Sequence, residues 1–496
     1  MKKSIKVSLI GILALVTFLP LNPILASTTS IEAPMADTLI ILHPHSADFA
    51  GYVISGFRNW YSTEYGTTID VTTLEKDSGD CYTEVDTWAG SPGADVWWGG
   101  GRYYFELARN DGWLQPYTVA EDGNISDIFN GWPMKEPASA PEWYAAAISG
   151  FGIMYNEEIL TTDNLPIPTM WTDLADPKYQ GYIVMCNPDD SGSTAATVKQ
   201  IIMEMNDQTD STKITTAADI SEAWQFWAKV SGNVGVFTTS SSAVPAEVYE
   251  GNYAIGITID YYAWAKMALD PTGPFNFNYG GASTFSPDPA AVLAGAPNMV
   301  QAKRFMDYLI STEGQEKVGA YRIPANIKAV PDSRLVPRAW DDNGDMNPDF
   351  PAITPFNVSL DDAIHYPVEK LYNYWLCKNH DAVKTAWIAI DDATDATAKV
   401  NALDMYTTFP PDFNGTMAGL MDLDTGSANR VVWQNFGKNS FGNATLEAAE
   451  DYGDPIIHPT LTTSTTEPGT GQAPGFEIIL LLTSIGTLVL LRRRKK

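Results

Sequence analysis

A pair of tyrosines and the serine-rich segment ahead of them carry the most chemistry in this sequence. Tyr261 and Tyr262 directly follow an apolar run with strand character, within residues 236–265. A phenol oxygen is a hard donor, and a highly charged cation such as ferric iron lowers its pKa enough to ionise it at neutral pH. His45 could add a nitrogen ligand. The same tyrosines could instead be core side chains packed on aromatic neighbours, and the residues alone leave both interpretations open.

Serine clusters precede two helical patterns in the middle of the chain. One lies at residues 191–193 and the other at residues 240–242. Hydroxyls, free backbone N–H groups and the positive end of a helix together bind anions without a formal positive charge. A serine at such a position also caps a helix without binding a ligand, so capping is the alternative. The pattern predicts an anion site whose positive charge comes from helix ends.

A glycine run and two further polar residues extend these features. The consecutive glycines 99–101 let backbone approach a ligand closely, although their spacing is not that of a dinucleotide-binding loop. The predicted ligand-binding residues are His45, Ser46, Gly99, Gly100, Ser191, Gly192, Ser193, Ser240, Ser241, Ser242, Asp260, Tyr261 and Tyr262. A metal ion would be held by His45, Tyr261 and Tyr262. No resident cofactor is expected, and ferric iron would be a transported ligand.

No nucleophile–base pair stands out in the sequence. It contains neither a GxSxG elbow nor an HExxH helix motif, and no CxxC pair for zinc or redox chemistry. With 60 acidic residues in the chain, adjacent carboxylates are expected on solvated faces without any function. We therefore expect a binding protein. The alternatives are an exported hydrolase with aromatic residues as a track for a surface polymer, and a structural surface protein.

The net charge excludes nucleic acid as an expected partner. It is -29 at neutral pH, from 31 basic and 60 acidic residues, whereas binding a phosphate backbone needs clustered lysine and arginine. With 45% hydrophobic residues over 496 positions, the chain can build two or three domains with ordinary cores.

Both ends of the chain carry export and membrane signals. Residues 1–26 combine early lysines, an apolar core and a small final residue, as a secretory signal does. Residues 475–491 are almost entirely apolar and precede the basic residues 492–496. This pattern is typical of a single membrane span with a cytoplasmic tail. The body is therefore expected outside the cell membrane, tethered through its C-terminus, as a monomer.

The cysteines and glycosylation triplets are compatible with export. Three cysteines cannot all pair with one another, and an exported protein permits one disulfide that the sequence does not choose; they are Cys81, Cys186 and Cys377. Asparagines in glycosylation triplets are Asn124, Asn357, Asn414 and Asn443.

Strand patterns alternate with helical patterns, which predicts an α/β protein with mainly parallel sheets. Two such blocks separated by an extended crossing predict two lobes. The expected organisation is a signal peptide at 1–26, lobe 1 at 37–142 and again at 261–335, lobe 2 at 143–260, a helical extension packed on the body at 336–455, a Thr/Ser/Pro-rich stalk at 456–474, a membrane or sorting segment at 475–491 and a basic tail at 492–496.

Collinear segments over residues 38–325 resemble the type 2 periplasmic solute-binding proteins of ABC importers, in their ferric-iron-binding-like family. The segments are LIILHPHSADF (39–49), ADVWWGGG (94–101), WTDLADPKYQGYIVMCNPDDSGS (171–193), FTTSSSAVPAEVYEGNYAIGITIDYYA (237–263) and GAPNMVQAKRFMDYLISTEGQEKVGAYRIP (295–324). The C-terminal tail resembles archaeal surface-sorting tails, which implies a segment that is either trimmed and exchanged for a lipid or retained as a span.

The resemblance implies two α/β lobes that close over a ligand and present the closed shape to a membrane permease. It also implies that residues 255–262 form a crossing strand whose two tyrosines face the cleft. In ferric-binding members a histidine, a glutamate and a tyrosine pair hold the metal. The pair matches Tyr261 and Tyr262 and the histidine matches His45, but the glutamate position falls at residues 98–100, where this sequence has no carboxylate. Other members hold phosphorylated or phosphonate-like anions in the loops that match the serine clusters. We therefore expect a receptor for a small phosphate- or phosphonate-bearing solute, with ferric iron as the alternative.

Overall fold

A computed structural model describes residues 37–129, 131–205, 219–329, 352–353 and 358–449. The helices in these ranges are α1 Ala47–Tyr65, α2 Ser78–Trp88, α3 Arg102–Asn110, α4 Glu157–Thr162, α5 Gly192–Glu204, α6 Ser221–Asn233, α7 Ala243–Tyr249, α8 Asp260–Met267, α9 Met299–Ile310, α10 Thr312–Val318, α11 Val358–Trp375, α12 His380–Asp392, α13 Ala396–Thr407, α14 Met417–Met421 and α15 Ser427–Ala448. The strands are β1 Asp37–His43, β2 Ile69–Glu75, β3 Val96–Trp98, β4 Ile128–Phe129, β5 Trp132–Pro133, β6 Tyr144–Ser149, β7 Phe151–Asn156, β8 Ile183–Cys186, β9 Val234–Thr238, β10 Ile255–Ile259, β11 Phe275–Asn278, β12 Ala282–Ser283, β13 Ser286–Val292 and β14 Ala352–Ile353.

The first lobe is built on a sheet with the strand order β2-β1-β3-β13-β6. β1 pairs in parallel with β2 and β3, whereas β13 runs antiparallel to β3 and β6. β3 is buried along its whole length, which explains its run of valine and tryptophan. Both β1 and β3 end at the same edge of the sheet, where α/β proteins bind ligands. That edge carries His45 and the glycines that follow β3.

The second lobe repeats this arrangement with the strand order β11-β7-β10-β8-β9. β8 pairs in parallel with β9 and β10, and β7 runs antiparallel to β10 and β11. The prediction of an α/β fold is confirmed. In each five-stranded sheet four strands run in one direction, and a single strand, β13 or β7, runs in the opposite direction. A strand that has crossed between the lobes enters each sheet in the opposite direction, and local sequence patterns do not reveal that direction.

The chain crosses between the sheets at Gly150 and returns through residues 279–285. A Cβ on Gly150 would lie 2.7 Å from Cε1 of Phe285 and 2.8 Å from Cε1 of Tyr279. No side chain therefore fits where the crossing segments touch. The Gly150 N–H donates to the carboxylate of the buried Asp260 at 2.7 Å, which ties the crossing to the start of α8.

The predicted lobe boundaries at 143 and 260 are wrong. β6 belongs to the first sheet because it pairs with β13, and α8 is followed by β11, which pairs with β7 of the second sheet. Residues 255–262 do not cross between the lobes either. β10 lies inside the second sheet, and the chain turns into α8 at Asp260. Strand pairing between distant segments decides these boundaries.

The C-terminal helices pack on the second lobe. Trp375 of α11 and Trp433 of α15 share one hydrophobic core with Trp224 of α6 and Ile183 of β8. The predicted helical extension on the body is therefore present over residues 358–449.

Other sequence predictions concern the membrane and the cysteines. Within the described ranges, no helix is both long and apolar enough to cross a membrane. The predicted signal peptide, stalk, apolar segment 475–491 and basic tail lie outside those ranges. Cys81, Cys186 and Cys377 are free thiols.

Candidate functional site: the cleft between the lobes

A cleft with about 870 Å³ of empty space, partly open to solvent, lies where the lobes meet. The first lobe contributes the segments that follow β1, β2 and β3. The second lobe contributes the starts of α5 and α8 and the loop after β9, and α11 adds residues from the C-terminal helices. The cleft thus has three walls, and each is built from a separate part of the chain.

In the described part of the chain, four helices begin at this cleft. α2 contributes Ser78, α3 contributes its N-cap Gly101, α5 contributes Ser193 and α8 contributes Tyr261. The first N–H groups of a helix lack partners within the helix, and its N-terminus carries a partial positive charge. Both lobes therefore present positive helix ends to the same space, which is an arrangement that suits an anion.

A buried arginine forms part of the cleft wall. Arg322 is 1% exposed, and its Nη1 lies 2.5 Å from Oδ2 of Asp288. Its Nη2 donates to the hydroxyl of Ser149 at 2.9 Å. Oδ1 of Asp288 accepts hydrogen bonds from the N–H groups of Gly100 and Gly101 at 2.8 and 3.2 Å. The glycine loop therefore orients Asp288, and Asp288 in turn holds the guanidinium at the cleft.

The tyrosine pair lies against this arginine. The rings of Tyr261 and Tyr262 have centroids 4.2 Å apart, and the guanidinium carbon of Arg322 lies 4.2 Å from the centre of the Tyr261 ring. The Tyr262 hydroxyl donates to the carbonyl of Pro44 at 3.2 Å. Burial raises the pKa of both phenols above the ordinary value, so both are uncharged hydrogen-bonding groups at neutral pH.

His45 is the buried group with the clearest unmet bonding capacity. Its ring is 1% exposed and packs edge-on against Trp98 and Phe49, with centroid distances of 4.5 and 5.0 Å. Neither ring nitrogen has a hydrogen-bond partner among the described residues. Burial, followed by the charge of Arg322, lowers the pKa of His45 well below its usual value. A neutral imidazole in this position can donate one hydrogen bond to a ligand and accept another.

The lobes touch each other across the cleft. A Cβ on Gly192 of the second lobe would lie 3.3 Å from the carbonyl oxygen of Gly100 and 3.6 Å from Cβ of Ser78, both in the first lobe. Only a residue without a side chain allows this approach without displacement. The contact closes one side of the cleft.

The C-terminal helices also bridge to the first lobe. Arg102 of α3 forms an ion pair with Asp362 of α11. The neighbouring Tyr104 donates its hydroxyl hydrogen bond to Oε1 of Glu369 at 3.0 Å. Because α11 packs on the second lobe, these contacts hold both lobes to one helix.

Comparison with known proteins identifies the family. Residues 91–342 match the family model described as bacterial extracellular solute-binding protein, and this range is about half of the chain. The chain belongs to the bacterial extracellular solute-binding protein family. The periplasmic solute-binding family expected from the sequence motifs is thereby confirmed. The C-terminal helices α11–α15 of this solute-binding protein lie beyond the matched range.

Curated relatives agree with this assignment. The phosphoglycerate transport regulatory protein PgtC of Salmonella typhimurium is 28% identical over 249 residues, which cover 50% of this chain and 57% of PgtC. The chain thus spans little more than half the length of that relative. An uncharacterized protein of Haemophilus influenzae is 25% identical over 292 residues, which cover 56% of this chain and 77% of the relative.

Solved structures share the fold. The periplasmic binding protein AfuA from Actinobacillus pleuropneumoniae, solved with exogenous fructose-6-phosphate bound, has a TM-score of 0.50 and 20% identity over 60% of this chain and 88% of AfuA. Iron-bound HitA from Pseudomonas aeruginosa has a TM-score of 0.50 and 16% identity over 67% of this chain and 98% of HitA. At these identities the likeness concerns the two-lobed fold alone.

About half of the predicted site residues of this solute-binding protein come together at the cleft. They are His45, Gly100, Gly192, Ser193, Ser241, Tyr261 and Tyr262. They come from both lobes, as expected for a ligand enclosed between them.

The other predicted residues do not line the cleft and have structural roles. Ser191 caps α5 by accepting the Thr194 N–H at 3.2 Å, and Ser46 is the N-cap residue of α1. Ser240 and Ser242 lie with their hydroxyls 3.1 Å apart in the loop before α7. Ser191 thus follows the capping alternative, whereas Ser46 and Ser242 occupy N-cap positions without a side-chain capping hydrogen bond.

Gly99 and Asp260 also lie behind the cleft surface. Gly99 donates its N–H to the Pro289 carbonyl at 2.7 Å. Asp260 is fully buried and accepts the N–H groups of Gly150 and Tyr261, each at 2.7 Å. It stabilises the crossing between the lobes.

Several cleft residues were not predicted from the sequence. The ionisable ones among them are Asp77, Arg102, Asp190, Lys199, Asp288, Arg322, Asp361 and His365. The sequence contained one signal for part of this set. Asp361, His365 and Glu369 recur at intervals of four within the largely apolar α11, and the structure shows that all three are buried. A buried polar stripe at helical spacing indicates a site or a polar contact, because burial of such groups is costly unless they are paired.

Proposed function

We propose that this protein is the extracellular receptor of an ABC importer that captures a small phosphate- or phosphonate-bearing solute between its lobes and delivers it to a membrane permease. Capture needs no covalent chemistry. The observation that carries the proposal is the convergence of the N-termini of α2, α3, α5 and α8 on a cleft that also contains Arg322. Hydroxyls of Ser193 and Ser241 and the unpartnered nitrogens of His45 would complete the bonding of the anion's oxygen atoms.

The names of similar proteins support an anionic ligand. PgtC is named for phosphoglycerate transport, and AfuA was solved with fructose-6-phosphate. In this chain, residues 1–26 would direct export and residues 475–491 would hold the receptor at the outer face of the membrane as a monomer.

Ferric iron is the alternative ligand, favoured by the close Tyr261–Tyr262 pair and the free nitrogens of His45. The charge of Arg322 beside Tyr261 opposes a trivalent cation. The guanidinium beside the tyrosines therefore favours an anion over a trivalent cation as the ligand.

A ligand screen on the purified body distinguishes the two proposals. We expect inorganic phosphate, glycerol 3-phosphate or fructose 6-phosphate to raise the melting temperature, since a ligand at a hundredfold excess over its Kd stabilises by about 2.7 kcal/mol. The double variant Arg322→Gln with Asp288→Asn, which removes the charges in pairs, should abolish the shift. Arg304→Gln is the matched control, because Arg304 stacks 3.7 Å from the ring centre of Tyr65 outside the cleft.

The opposite outcome would support iron. Ferric citrate would then produce a visible tyrosinate charge-transfer band that Tyr261→Phe removes, and no phosphate-bearing compound would change the melting temperature.

A further inference from the structure

Helix α11 forms part of the cleft wall. Asp361 and His365 line the same cavity as Arg322 and Tyr261. Both residues belong to the C-terminal helices, which lie beyond residues 91–342 matched by the family model. The extension is therefore placed to contact whatever the cleft encloses.

A buried lysine connects this wall to the second lobe. Lys199 of α5 is 2% exposed and lines the cleft. Its ammonium group forms an ion pair with Asp361 and lies 2.7 Å from Nδ1 of His365. An ammonium group has three N–H donors. One of them is used by His365, whereas the contact with Oδ1 of Asp361 is an ion pair that is not aligned as a hydrogen bond. Among the described residues, Lys199 therefore keeps a spare N–H donor, and Asp361 keeps an unused acceptor.

The protonation of this cluster follows from its contacts. Because lysine can only donate, Nδ1 of His365 is the acceptor, and the ring proton resides on Nε2. That nitrogen lies 2.9 Å from Oε1 of Glu369, although the contact is not aligned as a hydrogen bond. Burial and the Lys199 charge lower the pKa of His365 well below its usual value, so the ring is neutral. The lysine and aspartate charges then balance each other within the cluster.

A balanced pair of this kind favours a hydroxyl group over a second anion. A hydroxyl can accept from the spare N–H of Lys199 and donate to the carboxylate of Asp361. A second carboxylate or phosphate would gain the lysine but would be repelled by Asp361 at short range. We infer that Lys199, Asp361 and His365 form a second subsite that binds a hydroxyl group of the ligand, so that the C-terminal helices determine specificity. The inference rests on the proposed function, and it narrows the ligand class to phosphorylated polyols, sugars and hydroxy acids.

The test uses a matched pair of probes, glycerol 3-phosphate and n-propyl phosphate, which share the phosphate and chain length but differ in hydroxyls. In isothermal titration calorimetry, the wild-type protein should bind glycerol 3-phosphate at least tenfold more tightly than n-propyl phosphate. The double variant Lys199→Met with Asp361→Leu replaces the buried ion pair by apolar side chains, a change that proteins often tolerate. In this variant the ratio of the affinities for glycerol 3-phosphate and n-propyl phosphate should fall to about one, while the affinity for n-propyl phosphate is unchanged.

Controls separate the subsite from general effects on folding. Asp381→Asn changes a fully exposed carboxylate of α12 and should leave the preference intact. If the double variant does not fold, Asp361→Asn, which keeps the side-chain shape, should still reduce the preference at least threefold. Equal binding of both probes by the wild-type protein, or an unchanged preference in the variants, would overturn the subsite alone. If no phosphate-bearing probe binds the wild-type protein, the proposed function itself fails.

Discussion

The imidazole of His45 occupies the space that a side chain on Gly99 would need. A Cβ on Gly99 would lie 2.4 Å from Cε1 and 2.5 Å from Nε2 of His45. Gly99 also adopts a φ of 90°, a conformation that residues with a side chain rarely adopt. The absence of a carboxylate at this position is thus structurally coupled to the burial of His45, because the ring could not pack against Trp98 beside a larger residue.

This relationship predicts that Gly99→Ala is more destabilising than Gly101→Ala. Both glycines have a φ of 90°, so alanine is strained equally at both positions. At Gly101, however, no atom lies within 4 Å of the new Cβ. We expect Gly99→Ala to be less stable by about 1–3 kcal/mol, the usual cost of overpacking, in urea unfolding. Equal stabilities of the two variants would contradict the position of His45.

The contact between the lobes predicts a second effect. Gly192→Val places methyl groups where the carbonyl oxygen of Gly100 lies 3.3 Å from Cβ, so the lobes should be held apart. Small-angle X-ray scattering should show a larger radius of gyration than in the wild-type protein, and affinity for glycerol 3-phosphate should fall at least tenfold. Gly51→Val is the control, because its Cβ would meet no atom within 4 Å. Identical scattering from both variants would argue against the contact.

The third prediction concerns stability in mildly alkaline solution. Burial raises the pKa of Glu369 from 4.5 to about 8. A carboxyl group with a raised pKa stabilises the folded state below pH 4.5 and loses that contribution as the pH rises to about 8. Glu369→Gln keeps an acceptor for the Tyr104 hydroxyl but does not titrate. Between pH 6.5 and 8.5 its melting temperature should fall less than that of the wild-type protein. Each kcal/mol of difference in unfolding free energy corresponds to about 2–4 °C in melting temperature.

The control for this pH series is Glu222→Gln, at an exposed position in the first turn of α6. It should follow the wild-type curve. Parallel curves for the wild-type protein and Glu369→Gln would mean that Glu369 is not buried against α3 as described.

The fourth prediction concerns acid. Burial and the charge of Lys384 lower the pKa of His380 from 6.5 to about 4, and Nε2 lies 2.9 Å from the Val234 carbonyl. A histidine with a lowered pKa contributes stability above pH 6.5, and this is lost as the pH falls to about 4. His380→Gln retains an N–H donor without titrating. Its melting temperature should therefore decline less between pH 6.5 and 4.5 than that of the wild-type protein. Each kcal/mol of difference in unfolding free energy corresponds to about 2–4 °C. An unchanged slope would contradict the half-buried contact of His380 with Val234.

Local chemistry was sufficient to predict the parts of the site that lie close together in sequence. Ser191 caps α5 and Ser241 precedes α7 because serine is favoured at the start of a helix, and Tyr261 follows an apolar strand that must end at a sheet edge. The α/β class follows from the same kind of local information, since strand and helix periodicities can be read over a few residues. The α/β class and the positions of these helix starts and strand ends were predicted correctly because each depends on a short segment alone.

The tertiary structure alone decided which distant residues share the cleft. Arg322 and Asp288 are ordinary charged residues in the sequence, and so are Lys199 and Asp361. Their burial is possible only because each charge meets its opposite from another segment, and a lone buried charge would be strongly unfavourable. The same dependence on distant partners placed β6 in the first sheet and brought α11 to the cleft. The sequence by itself determined the elements and the chemistry at their ends, whereas pairing across long distances determined which of those ends form one site.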